Sequence, residues 1–167
     1  LLAAVLMVLT GCLSMEDAYK GMNWSSLILL AGMLPMATAL QKSGGVQYVA
    51  NLLTNSLGQW GPLPVMVGLF LLTGFFSQFI SNTATTVLVA PIALQAALTL
   101  GVAPYAFLMT IAVAASTAFA TPIATSSNTL VLGSGGYRFG DFLRVGLVLQ
   151  VLIMAVVVLV LPLLFPF

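Results

Sequence analysis

The sequence has almost no charge: only 4% of its 167 residues are acidic or basic, and it contains no histidine. Its four lysine and arginine residues cannot form a patch that follows a phosphate backbone, so nucleic acid is excluded as a partner. Without histidine, and with all three carboxylates in predicted polar loops, the chain offers no activated nucleophile, which argues against an enzyme. Cys12 is the single cysteine, which excludes a disulfide framework and a cysteine-based metal cluster.

Hydrophobic residues, in contrast, make up 61% of the chain, and its mean hydropathy is +1.19. Apolar runs recur along most of the length, which is typical of an all-α polytopic membrane protein. We expect an integral protein of the bacterial inner membrane. Residues 1–13 carry no initiator Met and no basic leader, so we interpret them as the end of a truncated span and the chain as a fragment.

The lengths of the apolar runs predict the order of the segments, because roughly 20 helical residues cross a ~30 Å hydrocarbon core. The prediction comprises a truncated span over 1–13, a span over 24–41, an amphipathic interfacial helix over 45–59, a helical hairpin over 62–100 with its tip near 77–83, a broken helix over 103–134 with 120–128 unwound, and a last span over 145–165. The interfacial helix is predicted because Val46, Ala50 and Leu53 share one helical face.

The tip of the predicted hairpin, SQFISNTATT at 77–86, is a cluster of uncharged polar side chains. In hydrocarbon, non-helical backbone is tolerated only where it is buried in protein or lines a cavity. Ser81 and Asn82 are strong N-cap residues, and the free N–H groups of the helix that follows form an anion site. The hydroxyls of Ser77 and Ser81, with the last carbonyls of the preceding limb, suit a small monovalent cation. The structural alternative is that these hydroxyls bond to their own backbone.

A second break is predicted within ATPIATSSNT at 120–129, because an unbroken helix over 103–133 would be about 46 Å long. Pro122 releases a carbonyl from helical pairing, and Ser126, Ser127 and Asn128 would stand at the head of a short second helix. The competing interpretation is a continuous helix that is kinked at Pro122, with the freed backbone groups hydrogen-bonded by nearby polar side chains. Two discontinuous elements in one apolar half are the arrangement expected of a secondary transporter.

Two segments, SQFISNTATTVLVAPIAL and FATPIATSSNTLVLGSGGYRFGDFLRVG, resemble the C-terminal half of the divalent anion:sodium symporter family, within the ion transporter superfamily. That resemblance implies one half of an inverted repeat, with a re-entrant helical hairpin and a broken transmembrane helix. It also implies a missing N-terminal repeat that supplies the rest of the site, and a homodimer in the lipid bilayer.

The same resemblance implies the site residues. Ser81, Asn82 and Thr83 would form the hairpin tip that binds a small anionic substrate. Ser77, Ser81, Asn82 and the carbonyl of Ala124 would ligate a sodium ion. The family usually has Thr-Pro-Pro-Asn in its unwound helix, where this chain has Ser126 and Ser127 before Asn128. These three residues are therefore placed in that loop as substrate-binding residues, with substrate identity left open.

We predict sodium-coupled secondary active transport of a small divalent anion, a dicarboxylate or sulfate, by alternating access. An anion channel would use the same oxygens to line a pore. Proton coupling is less favoured, because the chain lacks the buried carboxylate that usually carries a proton. A non-transporting membrane scaffold would not account for two interrupted helices.

Overall fold

The structure, a computed structural model, describes residue 7 and residues 10–12, 14–21 and 24–167, and each regular element in those ranges is helical. The predicted truncated span over 1–13 lies largely outside the described residues. The helices are α1 (Met15–Gly21), α2 (Trp24–Lys42), α3 (Gly45–Leu57), α4 (Pro62–Ser77), α5 (Asn82–Leu100), α6 (Tyr105–Ser116), α7 (Ser126–Gly135) and α8 (Phe139–Leu164), with a 3₁₀ turn at Gly58–Trp60. The predicted all-helical composition is confirmed for the described part of the chain.

The chain divides into two compact units, Leu1–Gly32 and Met33–Phe167. In the first unit, the Ser14 hydroxyl caps α1 by accepting a hydrogen bond from the Asp17 N–H at 3.1 Å. Helix α2 begins in the first unit and ends in the second. Both predicted polar breaks lie in the second unit.

Helix α3 is amphipathic, as its burial pattern shows. Val46, Ala50 and Thr54 are buried on one face, whereas Tyr48 and Leu52 are exposed. The helix begins after Gly44, whose left-handed φ of 77° ends the helical path of α2 before α3 starts. The position of α3 at a membrane interface remains a prediction.

The hydrophobic core lies where α4, α5 and α6 pack against one another, with α3 against α4 and α5. Its largest fully buried side chains include Phe70, Phe107 and Met66. The buried hydroxyls of Thr73 and Thr110 donate to carbonyls one turn earlier, at 2.6 and 2.7 Å. These two threonines are therefore structural residues whose polar groups are satisfied within their own helices.

Two of the described helices, α5 and α8, are long and apolar enough to cross a membrane by length and composition. Helix α8 begins at Phe139 rather than at the predicted residue 145, because the Asp141 carboxylate accepts a hydrogen bond from the Arg138 N–H at 2.8 Å and caps the helix earlier. It packs against α4 and α6.

Helix α8 also makes a very close backbone contact with the segment that follows α6. Gly146 is buried, and a Cβ added there would collide with the main-chain carbonyl of Phe119 and the Cα of Ala120. Because those atoms belong to the backbone, rotation of a side chain cannot relieve the collision. Only glycine permits this approach.

We predict that Gly146→Ala lowers the free energy of unfolding by about 1–3 kcal/mol, because the added methyl group overpacks a backbone contact. The matched control is Gly140→Ala in the same helix, where an added Cβ meets nothing within 4 Å. Thermal unfolding of both variants in detergent tests this, and equal midpoints for the two would show that the close approach does not exist.

Candidate functional site

The turn between α4 and α5 is the first polar break. Ser77 ends α4 and Asn82 begins α5, so residues 78–81 connect them. The N–H groups of Phe79 and Ile80 both bond to the Phe76 carbonyl at 3.0 Å, which tightens the last turn of α4. At the other end, the Ser81 hydroxyl accepts a hydrogen bond from the Ala84 N–H at 3.3 Å. Ser81 is thus the N-cap of α5, as its residue type predicts.

Three neutral oxygens meet beside this turn. The Ser77 hydroxyl, which is fully buried, donates to the carbonyl of Ala115 in the last turn of α6. It also lies 3.2 Å from the Asn82 Oδ1. A hydroxyl has one hydrogen, and in this arrangement the hydrogen is donated in the shorter contact, to the Ala115 carbonyl. The oxygens of Ser77 and Asn82 then face each other as two acceptors.

The second break begins at Thr117, three residues ahead of the predicted start of the unwound region. Thr117 departs from helical geometry at φ −95° and ψ 34°, and its hydroxyl donates to the Ala114 carbonyl at 2.7 Å. Helix α7 then begins at Ser126. The unwound segment is therefore 117–125 rather than the predicted 120–128. Ser126, Ser127 and Asn128 lie in the first turn of α7, at the head of the second helix as their residue types predict, and not in the loop that the family resemblance implies.

Asn128 holds the unwound segment together. Its Nδ2 donates to the carbonyls of Ala118 and Thr121, at 3.0 and 3.1 Å. Its own N–H bonds to the Thr125 hydroxyl at 3.3 Å, so Thr125 is the N-cap of α7. Carbonyls released by the break are thereby satisfied with uncharged donors.

The two breaks touch each other directly. The Thr121 hydroxyl, in the unwound segment, donates to the Gln78 carbonyl in the hairpin turn at 2.9 Å. The Ser77 and Ala115 contact joins the ends of α4 and α6. The polar tip and the unwound segment therefore form one continuous polar region.

The predicted site residues differ in how the structure places them. Ser77 and Asn82 come together, and Ser81 caps α5 beside them. Thr83 and Ser127 are exposed, whereas Ala124 and Asn128 are half-buried; the Ser126 side chain lies outside the described part. Sequence reasoning missed Ala115 and Thr121. A main-chain carbonyl such as that of Ala115 leaves no signal in residue type, but the hydroxyl of Thr121 was visible beside Pro122.

Packed helices interrupted by two adjoining polar breaks are typical of membrane transport proteins. Comparison with known families agrees: a family model described as citrate transporter matches residues 1–112 and 56–167. The chain belongs to this family of transporters, whose members are transport proteins rather than enzymes.

Individual relatives confirm the resemblance to divalent anion:sodium symporters. The transporter YfbS of Escherichia coli K12 is 49% identical over 100% of this chain and 27% of its own length. Solute carrier family 13 member 2 of mouse is 34% identical over 78% of the chain and 22% of its own length. Probable sodium/sulfate cotransporter 3 of Chlamydomonas reinhardtii is 28% identical over 93% of the chain and 17% of its own length. The chain spans about a quarter or less of these relatives.

We predict that Asn128→Leu destabilises the protein by about 1–3 kcal/mol, because it leaves two buried carbonyls without a donor. Hydrogen exchange should increase most in residues 117–125. Ser127→Ala is the matched control, since that side chain is exposed in the same turn. Equal exchange in the two variants would show that the Asn128 amide does not hold the segment.

Proposed function

We propose that the chain is the C-terminal half of the transport domain of a sodium-coupled secondary transporter, which carries a small divalent anion by alternating access. The anion is a dicarboxylate or sulfate. The observation that carries the proposal is the pair of acceptors formed by the buried Ser77 hydroxyl and the half-buried Asn82 amide oxygen. Facing oxygens repel each other, and a cation between them would turn that repulsion into attraction.

The proposed sodium ligands are Ser77, Ser81, Asn82 and the carbonyl of Ala124. Neutral oxygens suit a small monovalent cation, and the breaks at 77–86 and 117–129 contain no charged residue that would compete for it. The Ser77 hydroxyl gives its hydrogen to Ala115, so its lone pairs are available on the side of Asn82. Ala124 lies in the unwound segment, which touches the hairpin turn through Thr121.

The proposed anion site is the N-terminal end of α5. Ser81 satisfies one N–H of the first turn, and the remaining free groups, with the helix dipole, favour a negative charge. Asn82 and Thr83 join Ser81 at this tip, with Ser126, Ser127 and Asn128 opposite as substrate-binding residues. Because both Asn128 amide hydrogens bond within the unwound segment, Asn128 contributes chiefly by shaping the pocket.

Helix lengths support a hairpin that enters the membrane and turns back. Helix α4 has 16 residues, and at about 1.5 Å per residue it spans roughly 24 Å, less than the ~30 Å hydrocarbon core. The 12 residues of α6 reach only about 18 Å before the second break. Both breaks would then lie within the membrane, where free helix ends are most effective.

The same proposal places the protein in the bacterial inner membrane, as a homodimer in the lipid bilayer. An N-terminal repeat would supply the second half of the site. Sodium and anion would bind cooperatively, because each charge offsets the other in a cavity of low dielectric constant.

We predict that Asn82→Ala abolishes sodium-stimulated anion uptake by the full-length transporter while insertion into the membrane is unchanged. The change removes the amide oxygen that faces Ser77 and leaves the apolar helices intact. Asn55→Ala, on the exposed face of α3, is the matched control and should transport normally. Sodium-dependent uptake by Asn82→Ala at the wild-type rate would remove this residue from the site.

The substrate and the coupling ion are tested together in proteoliposomes that contain the full-length transporter. Uptake of labelled sulfate, succinate and citrate is measured with and without a sodium gradient. We expect uptake of a divalent anion that saturates and requires sodium. Uptake driven equally well by a proton gradient would indicate proton coupling, and uptake that does not saturate would indicate a channel.

A further inference from the structure

The end of α4 is joined to α8 by two amide side chains. Gln78 follows the last residue of α4, and its Nε2 lies 3.4 Å from the Oε1 of Gln150 in α8. The same Nε2 donates to the Gly74 carbonyl at 3.2 Å, one turn back in α4. Gln78 is only 7% exposed, whereas Gln150 is half-buried, so the contact is partly buried.

The amide pair lies in the wall of a cavity of about 490 Å³ between α4, α8 and the unwound segment. Most of the lining is apolar, including Phe70, Leu147 and Met154. The Gln78 Oε1 is buried and has no hydrogen-bond partner among the described residues. In such mainly apolar surroundings an amide that loses its protein partner has few other polar side chains to replace it, so the contact with Gln150 constrains Gln78.

A glycine makes this contact possible. A Cβ added at Gly74 would collide with the Gln150 Nε2. The amide of Gln150 therefore rests directly on the backbone of α4. Because the colliding atom is the end of a flexible side chain, an alanine at position 74 would displace the Gln150 amide rather than the helix.

The main chain of Gln78 is also held by a hydrogen bond. Its carbonyl accepts the hydrogen bond from the Thr121 hydroxyl at 2.9 Å. The residue next to Ser77 is thus tied to the unwound segment by its main chain and to α8 by its side chain. Because Gln78 is bonded directly to Ser77 in the chain, a shift of the Gln78 backbone would change the position of the Ser77 hydroxyl relative to the Asn82 oxygen.

We infer that Gln150 is a positioning residue for the sodium site: acting through Gln78, it fixes the last turn of α4 and so sets the separation between the oxygens of Ser77 and Asn82. The inference rests on the proposed function of those two residues. Gln150 itself does not touch the ion. Its loss should weaken sodium binding without reducing the amount of folded protein.

The test is binding of radioactive sodium to the purified full-length transporter. Gln150→Met keeps the length of the side chain and removes its hydrogen-bonding groups. We expect the sodium concentration for half-saturation of this site to rise about tenfold, the size expected for one lost hydrogen-bonded partner. Maximal binding should stay within about twofold of wild type, whereas a merely structural defect would lower maximal binding instead.

A second variant reaches the same contact from the other side. Gly74→Ala retains Gln150 but displaces its amide, so it should raise the half-saturating concentration in the same direction. The double variant should show no larger effect than the stronger single variant, because both changes act through one contact. Gln95→Met is the matched control: it is half-buried on α5, away from the amide pair, and should bind sodium as wild type does.

The outcomes separate this inference from the proposed function. Asn82→Ala identifies the part of the sodium isotherm that belongs to this site. If that part is absent from the wild type, the proposed function fails, and the inference fails with it. If it is present and Gln150→Met leaves it unchanged, or if the two single effects simply add, the inference alone is overturned.

Discussion

The structure depends on how main-chain carbonyls are satisfied where two helices stop. Unpaired backbone groups are costly away from water, so each break needs donors close by. The chain supplies them from neutral side chains: Ser77 donates to Ala115, Thr121 to Gln78, and Asn128 to Ala118 and Thr121. Because no charge is involved, the breaks are stable without a fixed ion pair, and the charge that enters the site can come from the ligands.

Under the proposed function, structure and binding share the same atoms. The Ser77 hydroxyl joins α4 to α6, and its lone pairs face Asn82. Asn128 closes the unwound segment and leaves its amide oxygen uncommitted by those bonds. A substitution at either residue therefore has two possible effects, on folding and on binding. Matched controls in the same turn are needed to tell them apart.

The sequence predicted the parts of the fold that depend on residue type. The N-cap at Ser81 follows from the preference of serine for that position, and the second break follows from excess length and Pro122. The limits of the second break were less accurate. The residues themselves placed Ser126, Ser127 and Asn128 at the head of a second helix, and Thr125 at the N-cap position supports that start, whereas the family resemblance placed the three residues in the loop.

Other features could not be predicted, because they depend on what lies beside a residue in space. The Ala115 carbonyl could have been that of any residue type. The roles of Gly74 and Gly146 follow from close approaches between segments that are distant in sequence. Pairwise contacts of this kind are determined by packing, for which periodicity and composition carry no information.

Helix α8 connects these observations. Gly146 and Gln150 are one turn apart and therefore lie on the same face of the helix. Gly146 contacts the backbone of the unwound segment at Phe119, whereas Gln150 contacts the end of α4 at Gly74 and Gln78. One helix thus contacts both breaks. The two contacting residues are about 6 Å apart along the helix axis, because they are separated by four residues. Any movement of α8 along its axis must alter both contacts together, so this helix links the positions of the two breaks.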